Sequence, residues 1–479
     1  MIPSALNNGK MARLALAAGA AATVLSGCAS VPRMGAAPQP KAVANYAASQ
    51  SFTAPTAEWP TDHWWTAYGD AQLDQLIGEA LAGSPDLAVA RARVRQADAL
   101  SEQVRSTLGP QVEAMGAVGE MKMSYYNGLP PGVIQHGWHA GSVDGLSLNW
   151  QLDFFGKNRA QLAAATSSAQ AARADEAAAR VALSTAVAGV YADLAQLYQD
   201  RDAAEDALHV RAESQSLIAR RFEQGLENKA ALERAHAGRA STEAELAAID
   251  EAIGLTKNRL AALLGQGPDR GRAIGRPTPG AIRAFGLPAN LQAELVGRRP
   301  DVVAARLTAE SAAHRIKAAN ADFYPNVNLA AFYGVESLGL NYLTKSGSTL
   351  GQVGPAVTLP IFNSGRLQGA YRGARADYDA AVALYDQTLA HALNEVADSA
   401  VSARALDARL SKSREALAAA KSAYDLASQR YGRGLGTYLE VLSAEDALIS
   451  ERRAVADLET RAFTLDVALV RALGGGWRA

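Results

Sequence analysis

The sequence predicts an α+β protein built from two structural repeats, each running helix, strand, loop, strand, very long helix, turn, helix. Three observations carry that prediction. Ser84-Pro85-Asp86-Leu87-Ala88-Val89-Ala90-Arg91 recurs as Arg299-Pro300-Asp301-Val302-Val303-Ala304-Ala305-Arg306, and Leu108-Gly109-Pro110-Gln111-Val112 as Phe323-Tyr324-Pro325-Asn326-Val327, an internal period of about 210 residues. Two stretches, Gly156 to Phe222 and Arg366 to Tyr431, contain no proline, so each can run as one helix of about 66 residues. Between these landmarks lie short segments in which apolar and polar residues alternate strictly, the period of a strand with one apolar face.

The chain begins with a targeting signal. Lys10 and Arg13 precede an apolar run from Leu14 to Leu25, too short for a bilayer-spanning helix but right for the core of a secretory signal. The run ends in Leu25-Ser26-Gly27-Cys28, a lipobox pattern that makes the Cys28 thiol the expected site of a diacylglyceryl group, with N-acylation after cleavage. Met11 is an alternative start. Cys28 is the only cysteine among 479 residues, so an intrachain disulfide is impossible and thiolate metal sites are excluded. Ala29 follows it; by resemblance to bacterial lipoproteins, a residue other than Asp there favours transfer to the outer membrane. The expected organisation is signal peptide 1–27, N-terminal anchored segment 28–83, first repeat 84–265, linker 266–287, second repeat 288–474 and tail 475–479.

Within the first repeat, helix is expected from about Pro85 to Thr107. Val112 to Val118 follows as a strand of weaker alternation. The next strand places Leu146, Leu148, Trp150, Leu152 and Phe154 on one face and Ser147, Asn149, Gln151 and Asp153 on the other. Tyr125 to Gly141, containing Asn127-Gly128 and Pro130-Pro131-Gly132, reads as the loop between them. The second repeat gives Val327, Leu329, Ala331, Tyr333 and Val335 alternating with Asn328, Ala330, Phe332 and Gly334, then Val353, Pro355, Val357, Leu359 and Ile361 alternating with Gly354, Ala356 and Thr358, joined through Ser337 to Gly351. The long helices, at 1.5 Å per residue, would each be roughly 100 Å. A helix that long needs packing partners along its whole length. Two shorter helices joined head to tail, about Pro85 to Thr107 and Asn228 to Leu264 in the first copy, add up to a matching length. Arg221-Phe222-Glu223-Gln224-Gly225-Leu226 and Arg430-Tyr431-Gly432-Arg433-Gly434-Leu435 are the turns at the far ends.

Two hairpins separated by about 200 residues of helix leave open strand edges, and a sheet in a bilayer must close to satisfy its backbone groups. The same alternation also fits a sandwich, and closure could use two copies with eight strands or three with twelve. The Ala-rich helices suit close approach around a tube or within a solid coiled-coil bundle.

Composition excludes other classes. The formal charge is −1 and no basic block exists, so nucleic acid is not an expected partner. The hydrophobic fraction is 49% with only 6% aromatic, which favours closely packed helices over an aromatic-filled core. The seven histidines are scattered; His136 and His139 are close but fall in the predicted loop. No phosphate-binding glycine loop, nucleophile elbow or metal-ligand helix pair occurs, so no catalytic or metal residue is proposed. The competing class is a periplasmic coiled-coil scaffold or adhesin lipoprotein, which would not need two amphipathic hairpins.

Several short motifs stand in a fixed order: Trp64-Trp65 with Gly69-Asp70 and Leu73; Arg298-Arg299-Pro300-Asp301-Val302; Phe323-Tyr324-Pro325; Leu359-Pro360-Ile361-Phe362 with Gly365-Arg366; and Arg430-Tyr431 with Gly434-Leu435 and Leu439. In this the chain resembles the outer membrane factor family, the TolC-like lipoproteins of the OprM/NodT type. The resemblance implies a homotrimer whose twelve strands, four per protomer, form one transmembrane β-barrel continuous with a long periplasmic α-helical barrel. It implies two protein partners, a periplasmic adaptor (membrane fusion protein) and an inner-membrane RND-type pump, besides outer membrane lipids. It makes Arg221, Phe222, Gly225, Leu226, Arg430, Tyr431, Gly434, Leu435 and Thr437 the adaptor-docking tips and matches Asp425 to a periplasmic gate. A plain helix cap for the two glycines, and a solvated surface carboxylate for Asp425, are the alternatives. The first tip, with Glu227-Asn228, departs further from the family pattern than the second.

Overall fold

In the computed structural model, which describes residues 30–48, 50–126, 130, 136–278 and 285–478, each proline-free stretch is a single helix. The elements in chain order are α1 (Ala71–Gly83), α2 (Pro85–Ser106), β1 (Gln111–Met121), β2 (His139–Leu152), α3 (Lys157–Glu223), α4 (Lys229–Leu263), α5 (Pro268–Arg272), α6 (Leu291–Arg298), α7 (Pro300–Ala321), β3 (Asn326–Leu338), β4 (Thr349–Thr358), α8 (Arg366–Gly432) and α9 (Tyr438–Ala472). Helices α3 and α8 have 67 residues each, and α4 and α9 have 35 each, so the repeat extends to element length. The signal segment and Cys28 lie outside the described residues, as do Asn127-Gly128 and Pro131-Gly132 of the first hairpin loop.

Contacts divide the chain into two units. One contains residues up to Pro40, Val94–Ala171 and Ala305–Tyr385, and holds the sheet. Its strand order is β1-β2-β3-β4, all antiparallel, so the hairpin of one repeat pairs directly with that of the other across β2 and β3. Trp150 pairs with Leu329 and Leu329 with Pro355, while Leu148 pairs with both Val112 and Ala331. This register merges the apolar rows into one face. Trp150 also donates its indole N–H to the Leu108 carbonyl at 3.0 Å, tying the sheet to the end of α2. Beside the sheet, Ala309, Ala312, Tyr378, Ala381 and Val382 pack α7 against α8, with Ala37 of the N-terminal strap among them.

The strands differ from expectation at their ends. Strand β2 stops at Leu152 because Asp153 leaves the ladder to cap α3, accepting from the backbone N–H of Asn158 at 3.0 Å and of Arg159 at 2.9 Å. Phe154, expected on the strand face, lies in the following turn, and Leu359 and Ile361 lie beyond β4. The second hairpin connection is shorter than predicted, and the first is shifted three residues towards the N-terminus. His139 is the first residue of β2, paired with Met121, and not a loop residue; Ser337 belongs to β3 and Thr349 to Gly351 to β4.

The second unit contains Lys41–Arg93, Ala172–Ala304 and Asp386–Ala479. Its principal core gathers Trp64, Trp65, Tyr68, Leu73, Leu76 and Ile77 against Val187, Tyr191 and Leu194 of α3, Leu260 of α4 and Phe463 and Val467 of α9. Helix α1 was not predicted, and Asp70 explains its start. The buried Asp70 carboxylate accepts from the N–H of Gln72 and Leu73 and from the Tyr191 hydroxyl at 2.7 Å. Gly69 takes φ +65° to turn the chain into it. The two shorter helices of each repeat do meet head to tail. Gly265, after α4, abuts Gly83 and Pro85, and Gly474, after α9, abuts Arg298 and Arg299. The arginine of the second-repeat motif is the clamp at that joint: buried Arg299 donates to Asp301 at 2.6 Å, to Glu395 of α8 and to the Ala472 carbonyl at 3.2 Å.

Candidate functional site

A conducting surface requires a sheet that separates a polar side from an apolar one. Register pairing assigns Val112, Ala114 and Val118, Leu146, Leu148, Trp150 and Leu152, Val327, Leu329, Tyr333 and Val335, and Val353, Pro355 and Val357 to the same side. Many of these are bare in the protomer: Val118 is 67% exposed and Val353 76%. Exposed valines on a sheet face are costly in water at roughly 25 cal/mol per Å², and neutral against hydrocarbon. The other side carries Gln111, Glu113, Ser147, Asn149, Gln151, Asn328, Gln352 and Glu336. With the end of α2 it frames an open cleft lined by Gln103, Gln111, Glu113, Asn149, Gln151 and Gln352. The four strands contain no Lys or Arg, so the charge on the polar side is carboxylate only. Among the described residues, strands β1 and β4 pair on one edge each, leaving an unpaired ladder at both ends of the sheet.

The tips occupy the second unit and are built alike. The Leu226 N–H reaches back to the Arg221 carbonyl and the Gly225 N–H to Phe222; Leu435 and Gly434 do the same to Arg430 and Tyr431. Gly225 at φ +73° and Gly434 at φ +75° make both ends Schellman caps, the left-handed geometry that glycine adopts without strain. Asn228 and Thr437 then start the returning helices by accepting from the N–H of Ala231 and Glu440. This leaves Phe222, Leu226, Leu435 and Leu439 exposed, Leu226 and Leu435 by 61% and 66%. Tyr431, in contrast, is buried between the two tips. Its hydroxyl donates to Glu227 at 3.1 Å, its ring packs on Tyr438, and the Arg221 guanidinium lies 4.6 Å from the ring centre. Burial and the adjacent Glu227 carboxylate push the Tyr431 phenol up to about 12. Of the expected tip residues, Arg221 and Tyr431 therefore join the tips to each other, Gly225, Gly434 and Thr437 shape the turns, and Phe222, Leu226 and Leu435 face outward. Arg430 is exposed and donates to the Leu435 carbonyl. Asp425 is exposed on α8, one residue past the half-buried Tyr424 that packs against the tip core.

Sequence reasoning missed a charge pair above the tips. Glu445 of α9 is fully buried, with one carboxylate oxygen 2.9 Å from the Arg211 Nε and the other accepting from the Ser214 hydroxyl at 3.2 Å. The Arg211 contact is misaligned for a hydrogen bond, so charge attraction holds it. Arg211 also reaches Asp446. Burial raises the Glu445 carboxyl above the usual range, and Arg211 only partly opposes it.

Comparison with known proteins gives one consistent assignment. A family model described as outer membrane efflux protein matches residues 76–266 and 291–475. The multidrug resistance outer membrane protein MdtP of Escherichia coli O6:H1 is 28% identical over 464 residues, 95% of each chain. The fusaric acid resistance protein FusA of Burkholderia cepacia is 35% identical over 376 residues, 76% of this chain and 69% of that one. Among solved structures, the outer membrane protein VceC of Vibrio cholerae superposes with a TM-score of 0.83 at 43% identity, covering 87% of this chain and all of that one. The fold is the TolC-like one, with the sheet in the outer membrane and helices extending into the periplasm. With an amphipathic sheet and paired long helices in both repeats, the chain belongs to the outer membrane efflux protein family and is an outer-membrane channel of efflux systems.

Proposed function

We propose that three copies of the chain close into one duct of twelve strands, which passively conducts small molecules delivered by an inner-membrane RND-type pump through a periplasmic adaptor. The observation that carries this is the open sheet, whose apolar side gives way to Asp144 and Glu120 only at the hairpin-loop end and whose edges on β1 and β4 are unpaired among the described residues. Backbone groups left open in hydrocarbon each cost several kcal/mol, and pairing β4 of one copy with β1 of the next removes every edge. The exposed apolar residues at the tips suit docking of an adaptor. No chemistry, metal or cofactor enters this function, and the domain limits 1–27, 28–83, 84–265, 266–287, 288–474 and 475–479 are carried into it. Reconstituted in a planar bilayer, the protein should give long-lived openings from a mostly closed state. Asp425→Ala should raise the resting conductance by removing the ring of carboxylates at the gate. Absence of any pore would favour the scaffold reading, and an Asp425→Ala channel with unchanged resting conductance would remove Asp425 from the gate.

Cys28 anchors the protein by its acyl chains. Support comes from the strap just beyond it: the Arg375 guanidinium donates to the Gly35 carbonyl at 3.3 Å and the Tyr378 hydroxyl to the Pro38 carbonyl at 3.1 Å. Followed towards the N-terminus, the strap therefore runs towards the start of α8, where the helix leaves the sheet. Arg375 lies roughly 14 Å along the helix from Arg366, and the seven residues from Gly35 to Cys28 reach up to about 23 Å. On this reading the acyl chains can reach a membrane surface near the start of α8. Cys28→Ser should abolish labelling by radioactive palmitate; retained label would refute the anchor.

A further inference from the structure

We propose that the polar side of the sheet holds a binding site for aromatic cations in transit, with Phe332 as its stacking surface and Glu113 as its counter-charge. The site is the cleft between the sheet and the end of α2, about 780 Å³ in volume, within the range of small-molecule pockets. This side of the sheet faces the lumen in the duct proposed above, so the site rests on that reading and its test separates the two.

A wall that only passes water needs no aromatic ring, yet the polar side carries one. Phe332 lies between Ala330 and Gly334 on that side of β3, and the register lines it up with Glu113 of β1, Ser147 of β2 and Gln352 of β4 in one row across the sheet. Its ring is laid sideways over β2: a Cβ placed on Gly145 would lie 2.7 Å from the ring Cζ, so only glycine leaves room for that pose. In the next row Gly145 pairs with Gly334, whose own Cβ would fall 2.2 Å from the Asp144 carbonyl oxygen. The two glycines clear the centre of the row, and the residues flanking them, Met115 and Leu350, are apolar and exposed. The ring therefore stands half-buried at the boundary between a polar wall and an apolar patch, a setting that favours stacking by another flat molecule.

Charge narrows the ligand. Glu113 is the one ionisable group lining the cleft among the described residues. It is exposed, and no Lys or Arg stands on any of the four strands to neutralise it. The rest of the polar lining is chiefly neutral amide, from Gln103 on α2 through Gln111 and Asn149 to Gln151 and Gln352, which donates and accepts without preferring either sign of charge. Glu113 and Phe332 stand two strands apart, a backbone separation of about 10 Å, so one small organic molecule can touch both. A molecule that uses all three features carries a flat ring, a positive charge and hydrogen-bonding groups.

Ethidium tests this as an aromatic cation, against tetrabutylammonium as an aliphatic cation and naphthalenedisulfonate as an aromatic anion, each added to single channels in planar bilayers. Ethidium should interrupt the open-channel current at concentrations well below those of the other two. Phe332→Leu should weaken the ethidium block roughly tenfold. Glu113→Gln should weaken it roughly threefold at low salt and less at high salt, as for any exposed charge. Tyr333→Leu, next in sequence but on the apolar side, should leave the block as in the wild type. If the ring serves only to cover Gly145, Phe332→Leu lowers the melting temperature and leaves the block unchanged, which overturns the site, as does equal block by all three probes. Ethidium block that survives Phe332→Leu and Glu113→Gln but is lost in Asp425→Ala puts the ligand at the tips and also overturns it. A protein that forms no pore ends the duct reading and the site with it, whereas open channels that ethidium does not block leave the duct standing and remove the site.

Discussion

Arg211→Met should destabilise the region above the tips by about 3–5 kcal/mol at neutral pH, the cost of leaving a buried charge without its partner. Glu445 is fully buried, and without Arg211 its remaining polar contact within the protomer is the Ser214 hydroxyl. The groups around it offer little compensation. Asp446 repels it, and the phenols of Tyr424 on α8 and Tyr438 on α9 are held neutral, raised first by burial and next by Glu445 itself. The pH dependence follows from the direction of the shift. A carboxyl whose folded pKa is raised contributes stability that is fully present below its unfolded value near 4.5 and is lost as pH rises through the folded value. The Arg211→Met defect should therefore be largest at neutral pH and shrink on acidification. Adding Glu445→Gln removes the charge while keeping an oxygen for Ser214, and should restore most of the stability at pH 7. Hydrogen exchange of the amides around Tyr438 to Leu448 reads this directly. Wild-type protection in Arg211→Met, or no rescue by Glu445→Gln, would show that the pair carries no such role.

Glu445 also shows how far the sequence could be read. It stands on an apolar stripe, with Tyr438, Val441 and Leu448 at helical spacing and all four buried, so a carboxylate in that row was a visible signal of a buried ionic site. Its partner was not visible, because Arg211 lies more than 200 positions away on another helix. The long helices and the sheet were legible for opposite reasons. A proline-free tract of that length has few alternatives, and period-two alternation fixes which side of a strand is apolar before any partner is known. Strand ends were less legible, since Asp153 reads as one more polar residue in the alternation and only the structure shows it capping α3. Trp64-Trp65 and Gly69-Asp70 were recognisable as a motif without a role. Their work is to seat α1 on α3 and α9, through a core and a hydrogen-bond cluster assembled from segments far apart in sequence. The tips divide similarly: sequence located both turns, but only packing separates the buried Tyr431 from the outward Leu226 and Leu435.

The largest single-site effect is expected at the joint between the two shorter helices of the second repeat. Gly474 sits at φ +89°, and a Cβ placed on it would lie 2.1 Å from the Arg298 carbonyl oxygen and 2.9 Å from its carbon. These are backbone atoms, held by the Arg299 clamp that joins Asp301, Glu395 and the Ala472 carbonyl, so the neighbour cannot swing aside as a flexible side chain would. Gly474→Ala thus combines the strain of a non-glycine residue in the left-handed region, about 1–3 kcal/mol, with an overlap that must displace the start of α7, commonly another 1–3 kcal/mol or more. Against a total stability of about 5–15 kcal/mol for a typical domain, that should sharply reduce the folded protein recovered from the outer-membrane fraction and lower its melting temperature. Gly265→Ala at the equivalent joint of the first repeat should act in the same direction, because its Cβ would fall 2.6 Å from the Gly83 carbonyl oxygen. Gly189→Ala is the control: it lies inside α3 with nothing within 4 Å of its Cβ, and should stabilise the helix by roughly 0.5–1 kcal/mol. Gly474→Ala protein as abundant and heat-stable as the wild type would mean that the joint between α9 and α7 gives way, and that the Arg298-Arg299-Pro300 motif serves some end other than locking it.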